Sequence, residues 1–395
     1  MRDSKRLIIT LTANKCASVL FSAKSLLPGL VLAVGMPSWV VAWIVPIRES
    51  LALIPQVVLS LILRRYPQRY VVWRLGMLIQ ILSTSAILAV CHHASQSDTV
   101  ALSVSVVFIV CLATYSIGRS CCSLTVKDIQ ADIVDKGRRG ELIGTATTLS
   151  GLVTILIAVP MGLVDKFQSE FSLLLIVALS AVMLTLTAVL MWPLKTTVET
   201  ENSSDDPFQW HMLLPKLSPA AKRFIVVRAI FVHSALVAPF FMLAQAEQSQ
   251  QLALLYLAAE AAAALLSAKI WGGLADKDAR YVMRIGGVLA ITACAGLMLL
   301  QPDSLWLSVV LFFALAIAHT GLRTGRKIYT LDIDEGQSRT ELVGSANTLI
   351  GLVLLVAGSI YALLQPLLGQ WIVAIMAAMI AIGVLATFAL SSEKA

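Results

Sequence analysis

Two glutamates are the residues of this sequence best placed to do chemistry. The chain has 23 acidic residues, and only Glu49 and Glu260 fall well inside long apolar segments. A carboxyl group in a low-dielectric environment is costly to ionise, which suits reversible proton binding, and such groups usually have a function. Two interpretations stay open: at least one glutamate carries a proton or binds a substrate, or each forms a permanent ion pair with a nearby cation.

Basic and polar side chains in the apolar segments are candidates to share a site with the glutamates. On a helical wheel, Lys15 lies in a polar stripe that is expected to face a central cavity, whereas Lys24 lies off the stripe, nearer the outer end. Long basic side chains such as Lys15 and Arg228 can alternatively reach the membrane surface. The excess of cations favours an anionic or zwitterionic small molecule. The candidate substrate or coupling residues are Glu49, Glu260, Arg48, Lys15, Asn14, Lys24 and Arg228.

The composition indicates which elements must position these side chains. Of the 395 residues, 58% are apolar and 13% are charged, whereas soluble domains have about 45–50% and about 25%. These values exclude a soluble enzyme, a disordered chain, a coiled coil and a disulfide scaffold. Long apolar runs such as 172–190 argue against an outer-membrane barrel, whose strands alternate apolar and polar residues. The chain is predicted to be an all-α polytopic membrane protein.

Apolar segments separated by turn-like breaks predict twelve membrane-spanning helices. Their approximate limits are 7–34, 39–62, 70–91, 100–122, 142–163, 171–193, 222–245, 252–272, 282–301, 305–324, 342–364 and 370–391. The polar stretch 194–221 is predicted to be a cytoplasmic linker between an N-terminal half, 1–193, and a C-terminal half, 222–395.

The placement of basic residues predicts the orientation in the membrane. Lysine and arginine favour short cytoplasmic loops, and most of the 30 basic residues fall on one side if the N-terminus is inside. Both termini are therefore expected in the cytoplasm. The net charge of +7 is attributed to this topology, and no nucleic-acid partner is expected.

The second half of the sequence repeats the first. Residues 139–153 (RGELIGTATTLSGLV) and 339–353 (RTELVGSANTLIGLV) are identical at ten of fifteen positions at an offset of 200. Earlier in the chain the offset is 211, which aligns Glu49 with Glu260. Because six helices separate the copies, both begin on the same side of the membrane. The repeats are therefore parallel, related by an axis along the membrane normal.

Charged residues repeated at the inner ends of the helices are predicted to form a gate. Ion pairs among them would make and break as the inner side opens; the alternative is a solvated cytoplasmic face. The predicted gate residues are Lys127, Asp132, Arg139, Glu141, Lys327, Asp332, Arg339 and Glu341.

The loop after the eighth apolar segment, GGLADKDAR at 272–280, resembles the signature loop of the major facilitator superfamily. There Gly273 would allow close helix approach, and Asp276 would cap a helix end or pair with Arg280. The corresponding stretch after the second segment, 63–70, lacks the glycine and the aspartate. Other stretches, including 45–50 and 319–327, are similar to a proteobacterial branch of permeases in this family.

This resemblance implies two six-helix halves and a small-molecule permease that works by alternating access. No G-x-x-x-x-G-K-[ST] run for ATP is present, so the energy would come from a gradient, with protons as one candidate. A monomer is expected, with no cofactor, no metal and no enzymatic activity. The alternatives are a non-transporting receptor or assembly protein on the same scaffold, and, with less support, a membrane enzyme acting on lipid.

Overall fold

The structure, a computed structural model, describes residues 2–65, 68–133, 139–192, 218–300, 304–333 and 336–391. In these ranges the chain is helical and contains no β-strand, as the sequence predicts. Most of the predicted linker lies outside the described residues. Sixteen α-helices occur in these ranges: α1 (Arg2–Leu20), α2 (Leu26–Ala33), α3 (Ser38–Ser50), α4 (Gln56–Arg65), α5 (Arg69–Ser95), α6 (Leu102–Ile133), α7 (Arg139–Leu163), α8 (Glu170–Met191), α9 (Pro219–Ile230), α10 (His233–Leu236), α11 (Ala238–Leu243), α12 (Ser249–Ala275), α13 (Ala279–Leu300), α14 (Leu305–Ile333), α15 (Gly336–Leu368) and α16 (Trp371–Ala386).

Ten helical segments in the described part of the chain are long and apolar enough to cross a membrane. They correspond to the third to twelfth predicted spans, and they identify a multi-pass membrane protein. The first two predicted spans differ from the expectation of continuous helices, because each is divided into two shorter helices. The breaks fall at residues 21–25 and 51–55. The total of twelve spans stays a prediction.

Prolines accompany the breaks. Pro55 directly precedes α4, and Pro28 lies in the first turn of α2. Proline has no N–H to donate to the preceding turn and disfavours helical geometry at the residue before it. The seventh predicted span is divided in the same way, with Pro239 near the start of α11. Pro28 and Pro239 are equivalent in the repeat, so the two halves share an interrupted first helix.

The two halves meet along two flanks. In the first flank, α3 and α4 pack against α15; in the second, α7 packs against α12, with α2 also touching α12. Contact in the first flank is close, because a side chain at Gly358 would collide with Pro46. Buried apolar residues of both halves form one continuous core cluster around these contacts. The space left between the halves is a cavity on the side of the second flank.

Candidate functional site

A cavity of about 280 Å³ lies between the two halves. Its walls come from α1, the 21–25 break and α7 on one side, and from α12, α14 and the start of α11 on the other. Phe312, Leu315 and Leu265 form an apolar part of the wall. The charged and ionisable residues that line the cavity are Lys15, Lys24, Glu260, His319 and Arg323.

Glu260 joins the two halves inside this cavity. Ser22 Oγ donates a hydrogen bond to Glu260 Oε2 at 2.6 Å, and Ser25 Oγ donates to the same oxygen at 3.0 Å. Both serines lie in the 21–25 break, whereas Glu260 is on α12. The break therefore presents two hydroxyl groups to a carboxylate of the other half.

Lys24 also lines the cavity, which differs from its expected place off the polar stripe. The helical wheel assumes a continuous helix, but α1 ends at Leu20 and the backbone changes direction before Lys24. In the described part of the chain, Lys24 Nζ has no hydrogen-bond or ion-pair partner. The structure therefore places an unpaired ammonium group beside the Glu260 carboxylate.

Glu49, the equivalent acid of the first half, has a different environment. Its Oε1 lies 2.8 Å from Arg48 Nη1 and 3.4 Å from Arg119 Nη1. Arg48 Nη2 also donates to the carbonyl oxygen of Ser18 at 3.2 Å, and its guanidinium stands 6.0 Å from the ring centroid of Tyr115. This is a two-arginine ion-pair cluster that ties α3 to α6 and α1. It does not line the cavity.

The remaining predicted residues occupy three different positions. Lys15 Nζ donates to the Thr147 hydroxyl and to the carbonyl oxygen of Ile143 on α7, and it lines the cavity instead of reaching the membrane surface.

Arg228 Nη2 donates to Asn347 Oδ1 at 2.6 Å, away from the cavity. Asn14 is half-buried on α1 and is not part of the cavity lining in the described chain.

In the signature loop, the carboxylate that contacts Arg280 belongs to Asp278 and not to Asp276. Arg280 Nε lies 3.3 Å from Asp278 Oδ1, which also accepts the N–H groups of Arg280 and Tyr281 at 2.9 and 3.1 Å. Asp278 therefore caps the start of α13. Partial burial raises its pKa, but the hydrogen bond from Tyr281 and the contacts with Arg280 outweigh that effect and lower the pKa below its ordinary value. Asp276, which follows α12, and Gly273, near its end, are exposed.

Most of the predicted gate falls outside what the structure describes. Lys327 is exposed on α14. The ion pairs of the inner gate stay a prediction. The gate residues whose side chains lie outside the described part are Lys127, Asp132, Arg139, Glu141, Asp332, Arg339 and Glu341.

Several residues of the site were not among the sequence candidates. Arg119 completes the Glu49 cluster, and His319 and Arg323 line the cavity from one face of α14 at a spacing of four residues. His319 Nδ1 lies 3.3 Å from the Ser234 hydroxyl oxygen. The available signal was a basic or histidine residue within an apolar segment, the same signal that identified Arg228.

The family model for the Major Facilitator Superfamily matches residues 16–325. The chain belongs to this superfamily, as the signature loop and the parallel repeats had indicated. It is a secondary transporter of the membrane, not an enzyme. No curated protein matches the chain at the sequence level.

Solved structures of transporters have the same fold. A POT family transporter in complex with 5-aminolevulinic acid has a TM-score of 0.71 and 11% identity, covering 98% of this chain and 95% of that chain. The nucleoside transporter NupG has a TM-score of 0.69 and 13% identity, covering 98% and 99%. A bacterial homologue of the iron transporter ferroportin, in an inward-facing state, has a TM-score of 0.66 and 13% identity, covering 98% of each chain. At these identities the likeness establishes the fold alone.

Proposed function

We propose that the protein moves a small anionic or zwitterionic solute by alternating access, with Glu260 as the proton-coupling carboxyl group. The observation that carries this proposal is the charge of the cavity between the halves. Among the described residues that line it, Lys15, Lys24 and Arg323 are cations and Glu260 is the one acid. Cations within the membrane-embedded part of a protein are costly unless they are paired, and an acidic group on the solute offsets the excess positive charge.

Glu260 suits the coupling role because its hydrogen bonds cross between the halves. Ser22 and Ser25 donate to it from the N-terminal half, so a change in the charge of the carboxyl group alters a contact that holds the halves together. A ligand shifts a conformational equilibrium only through interactions that differ between the states. Proton binding at Glu260 supplies such a difference, whereas Glu49 is held within its own half.

The proposed arrangement in the membrane has twelve spans in two six-helix halves, 1–193 and 222–395, joined by a cytoplasmic linker at 194–221. The ten apolar spans together with the two interrupted segments support this count. Both termini are proposed to lie in the cytoplasm of a bacterium, and the protein to act as a monomer in the inner membrane. The parallel repeat and the distribution of basic residues support the orientation.

A reporter fused after Ala395 is expected to show a cytoplasmic location. A reporter inserted at residues 97–99, between α5 and α6, is expected to show an external one, because an odd number of spans separates the two positions from each other. Alkaline phosphatase and fluorescent-protein fusions measure this in whole cells. An external C-terminus would contradict both the orientation and the even span count.

Coupling is tested by reconstituting the protein into liposomes and measuring uptake of a solute panel with and without an imposed proton gradient. Glu260→Gln keeps the size of the side chain but fixes it neutral. We expect this variant to lose gradient-driven accumulation entirely, while Glu247→Gln, an exposed acid outside the cavity, keeps it. Full proton-driven accumulation by Glu260→Gln would refute the coupling role, and failure of every charge class to exchange would refute transport of such solutes.

A further inference from the structure

We infer that the solute is a zwitterion, which places its ammonium group on Glu260 and its acidic group on Lys24. This inference rests on the proposed transport function and specifies the substrate class for the same cavity. It follows from two charged groups that line one space and remain unpaired with each other.

The Glu260 carboxylate has one oxygen engaged and one available. Ser22 and Ser25 both donate to Oε2, and in the described chain no group donates to Oε1. Glu260 lines the cavity, so the free oxygen is accessible to a solute. An ionised carboxylate is an acceptor only, and the group that complements it best is a cationic donor such as an ammonium.

Lys24 offers the opposite charge within the same cavity. Its Nζ has no acceptor in the part of the chain that the structure describes, and it forms no ion pair with Glu260 there. The backbone N–H of Lys24 is held by a hydrogen bond to Ser22 Oγ at 3.2 Å, and the same Ser22 hydroxyl donates to Glu260. The Ser22 hydroxyl therefore joins the backbone at Lys24 to the Glu260 carboxylate, and in the described chain neither charged group has an ion-pair partner.

Two other charge classes fit the cavity less well. A dianion would bring a second negative charge toward Glu260, with which it has no favourable contact. A simple amine would satisfy Glu260 but would leave Lys24 unpaired and add a cation beside Lys15 and Arg323. A zwitterion neutralises both unpaired groups, and the two additional cations strengthen the binding of its acidic end.

The cavity walls indicate the chemistry of the part of the solute that lies between its two charged groups. The cavity wall also includes the apolar side chains of Phe312, Leu315 and Leu265, and a cavity of about 280 Å³ suits a small solute. An uncharged, largely aliphatic link between the ammonium and the acidic group therefore fits the apolar wall, as in a short amino acid.

The test is equilibrium binding to the purified full-length protein in detergent, without any gradient. The probes are glycine, β-alanine and γ-aminobutyrate, compared with butyrate, butylammonium and succinate, which carry one charge or two like charges. At least one amino acid should bind about 30-fold or more tightly than both butyrate and butylammonium, because each of these leaves one half-buried charge unpaired.

Two substitutions assign the ends of the solute. Glu260→Gln should remove the preference for an amino acid over butyrate, and Lys24→Gln should remove its preference over butylammonium. Lys166→Gln and Glu247→Gln, both exposed and outside the cavity, should keep both preferences. Thermal unfolding of each variant shows whether a loss of binding reflects a loss of folding.

The outcomes separate the two proposals. If succinate or butyrate binds at least as well as every amino acid, the zwitterion inference is wrong while transport of an anion stands. If Glu260→Gln and Lys24→Gln are folded and keep both preferences, the assignment to these residues is wrong. If no probe binds and no solute of any charge class exchanges in liposomes, both the inference and the proposed function fail.

Discussion

The two flanks between the halves are equivalent in the sequence repeat and different in structure. Gly351 on α15 and Gly151 on α7 occupy the same repeat position. A Cβ atom at Gly351 would lie 2.9 Å from a side-chain carbon of Ile54, whereas one at Gly151 would lie 3.8 Å from the carbonyl oxygen of Ala261. At this repeat position the α3/α4–α15 flank is therefore closely packed, whereas the α7–α12 flank leaves room beside the cavity; further along α7, Gly162 packs closely against Leu255 of α12.

The side chains at equivalent positions of the two flanks also make different hydrogen bonds. Asn347 Oδ1 accepts a hydrogen bond from Arg228. Asn347 Nδ2 donates one to Gln56 Oε1 at 3.1 Å, and this second bond links the two halves across the close flank. The repeat equivalent of Asn347 is Thr147, whose hydroxyl oxygen accepts a hydrogen bond from Lys15 of the same half. The equivalent of Gln56 is Ser267, whose hydroxyl donates to its own helix at Ala263. The open flank has no counterpart of the Gln56–Asn347 bond among these described residues.

The glutamates show what this difference means for function. Glu49, on α3, is clamped by two arginines of its own half, while Glu260, on α12, accepts hydrogen bonds from two hydroxyl groups of the other half. The two equivalent acids therefore have different environments: one lies in an ion-pair cluster and the other lines the cavity. The two ion pairs of Glu49 favour a structural role for it and leave the proposed coupling role to Glu260.

The largest effect is expected from neutralising Glu49. Arg48 is 6% exposed and Glu49 28% exposed, so Glu49→Gln leaves a buried guanidinium without its counter-charge. Breaking such a pair costs about 3–5 kcal/mol, and we expect a lower folded yield and a clearly lower Tm in detergent.

Glu260→Gln is the matched control for that comparison. Its partners are neutral hydroxyl groups, so the amide keeps most of the hydrogen bonding and the loss of stability should be about 1 kcal/mol or less. Equal thermal stability of the two variants, or a less stable Glu260→Gln, would contradict the division into a structural and an accessible glutamate.

A smaller effect is expected at the polar contacts. Asn347→Ala leaves the half-buried Arg228 without its acceptor and removes the link to Gln56, so we expect a loss of about 1.5–3 kcal/mol, typical of hydrogen bonds to charged groups. Thr147→Ala at the equivalent position should cost less, because Lys15 keeps the Ile143 carbonyl oxygen. Chemical or thermal unfolding of both variants measures this, and a larger loss for Thr147→Ala would contradict the asymmetry.

Much of the fold followed from the sequence. Hydropathy placed ten segments where the structure has long apolar helices, and the equivalence of Glu49 and Glu260 stays a prediction from the sequence repeat. The breaks at 21–25 and 51–55 were not predicted. Hydropathy averaged over a window measures how apolar a segment is and carries no information about where the backbone hydrogen bonds of a helix end. Proline disfavours a continuous helix, but the long apolar run around Pro55 led to the prediction of one uninterrupted span.

The site was predictable in its charges but not in its partners. The prediction that Lys24 lies off the cavity-facing stripe was wrong, because a helical wheel assumes one continuous helix and α1 ends before this residue. Arg119 and Arg323 are among the basic residues from which the orientation was predicted, and charge placement alone cannot distinguish a solvated arginine from one that faces a carboxylate or a cavity. Partners on distant helices are decided by tertiary packing, for which a single sequence holds no direct signal.

The smallest effect, and the one most specific to the two flanks, is expected from paired alanine substitutions of the equivalent glycines. At Gly351 the added methyl group would press on Ile54 and Leu53, and overpacking of this kind costs about 1–3 kcal/mol. At Gly151 the nearest atom leaves room for an ordinary contact, and replacing a helical glycine by alanine stabilises by about 0.5–1 kcal/mol. The two substitutions should therefore shift Tm in opposite directions in the same detergent. Because the chemical change and the helix position are the same, a shared sign would mean that the flanks are packed alike and that the close and open flanks are not distinct.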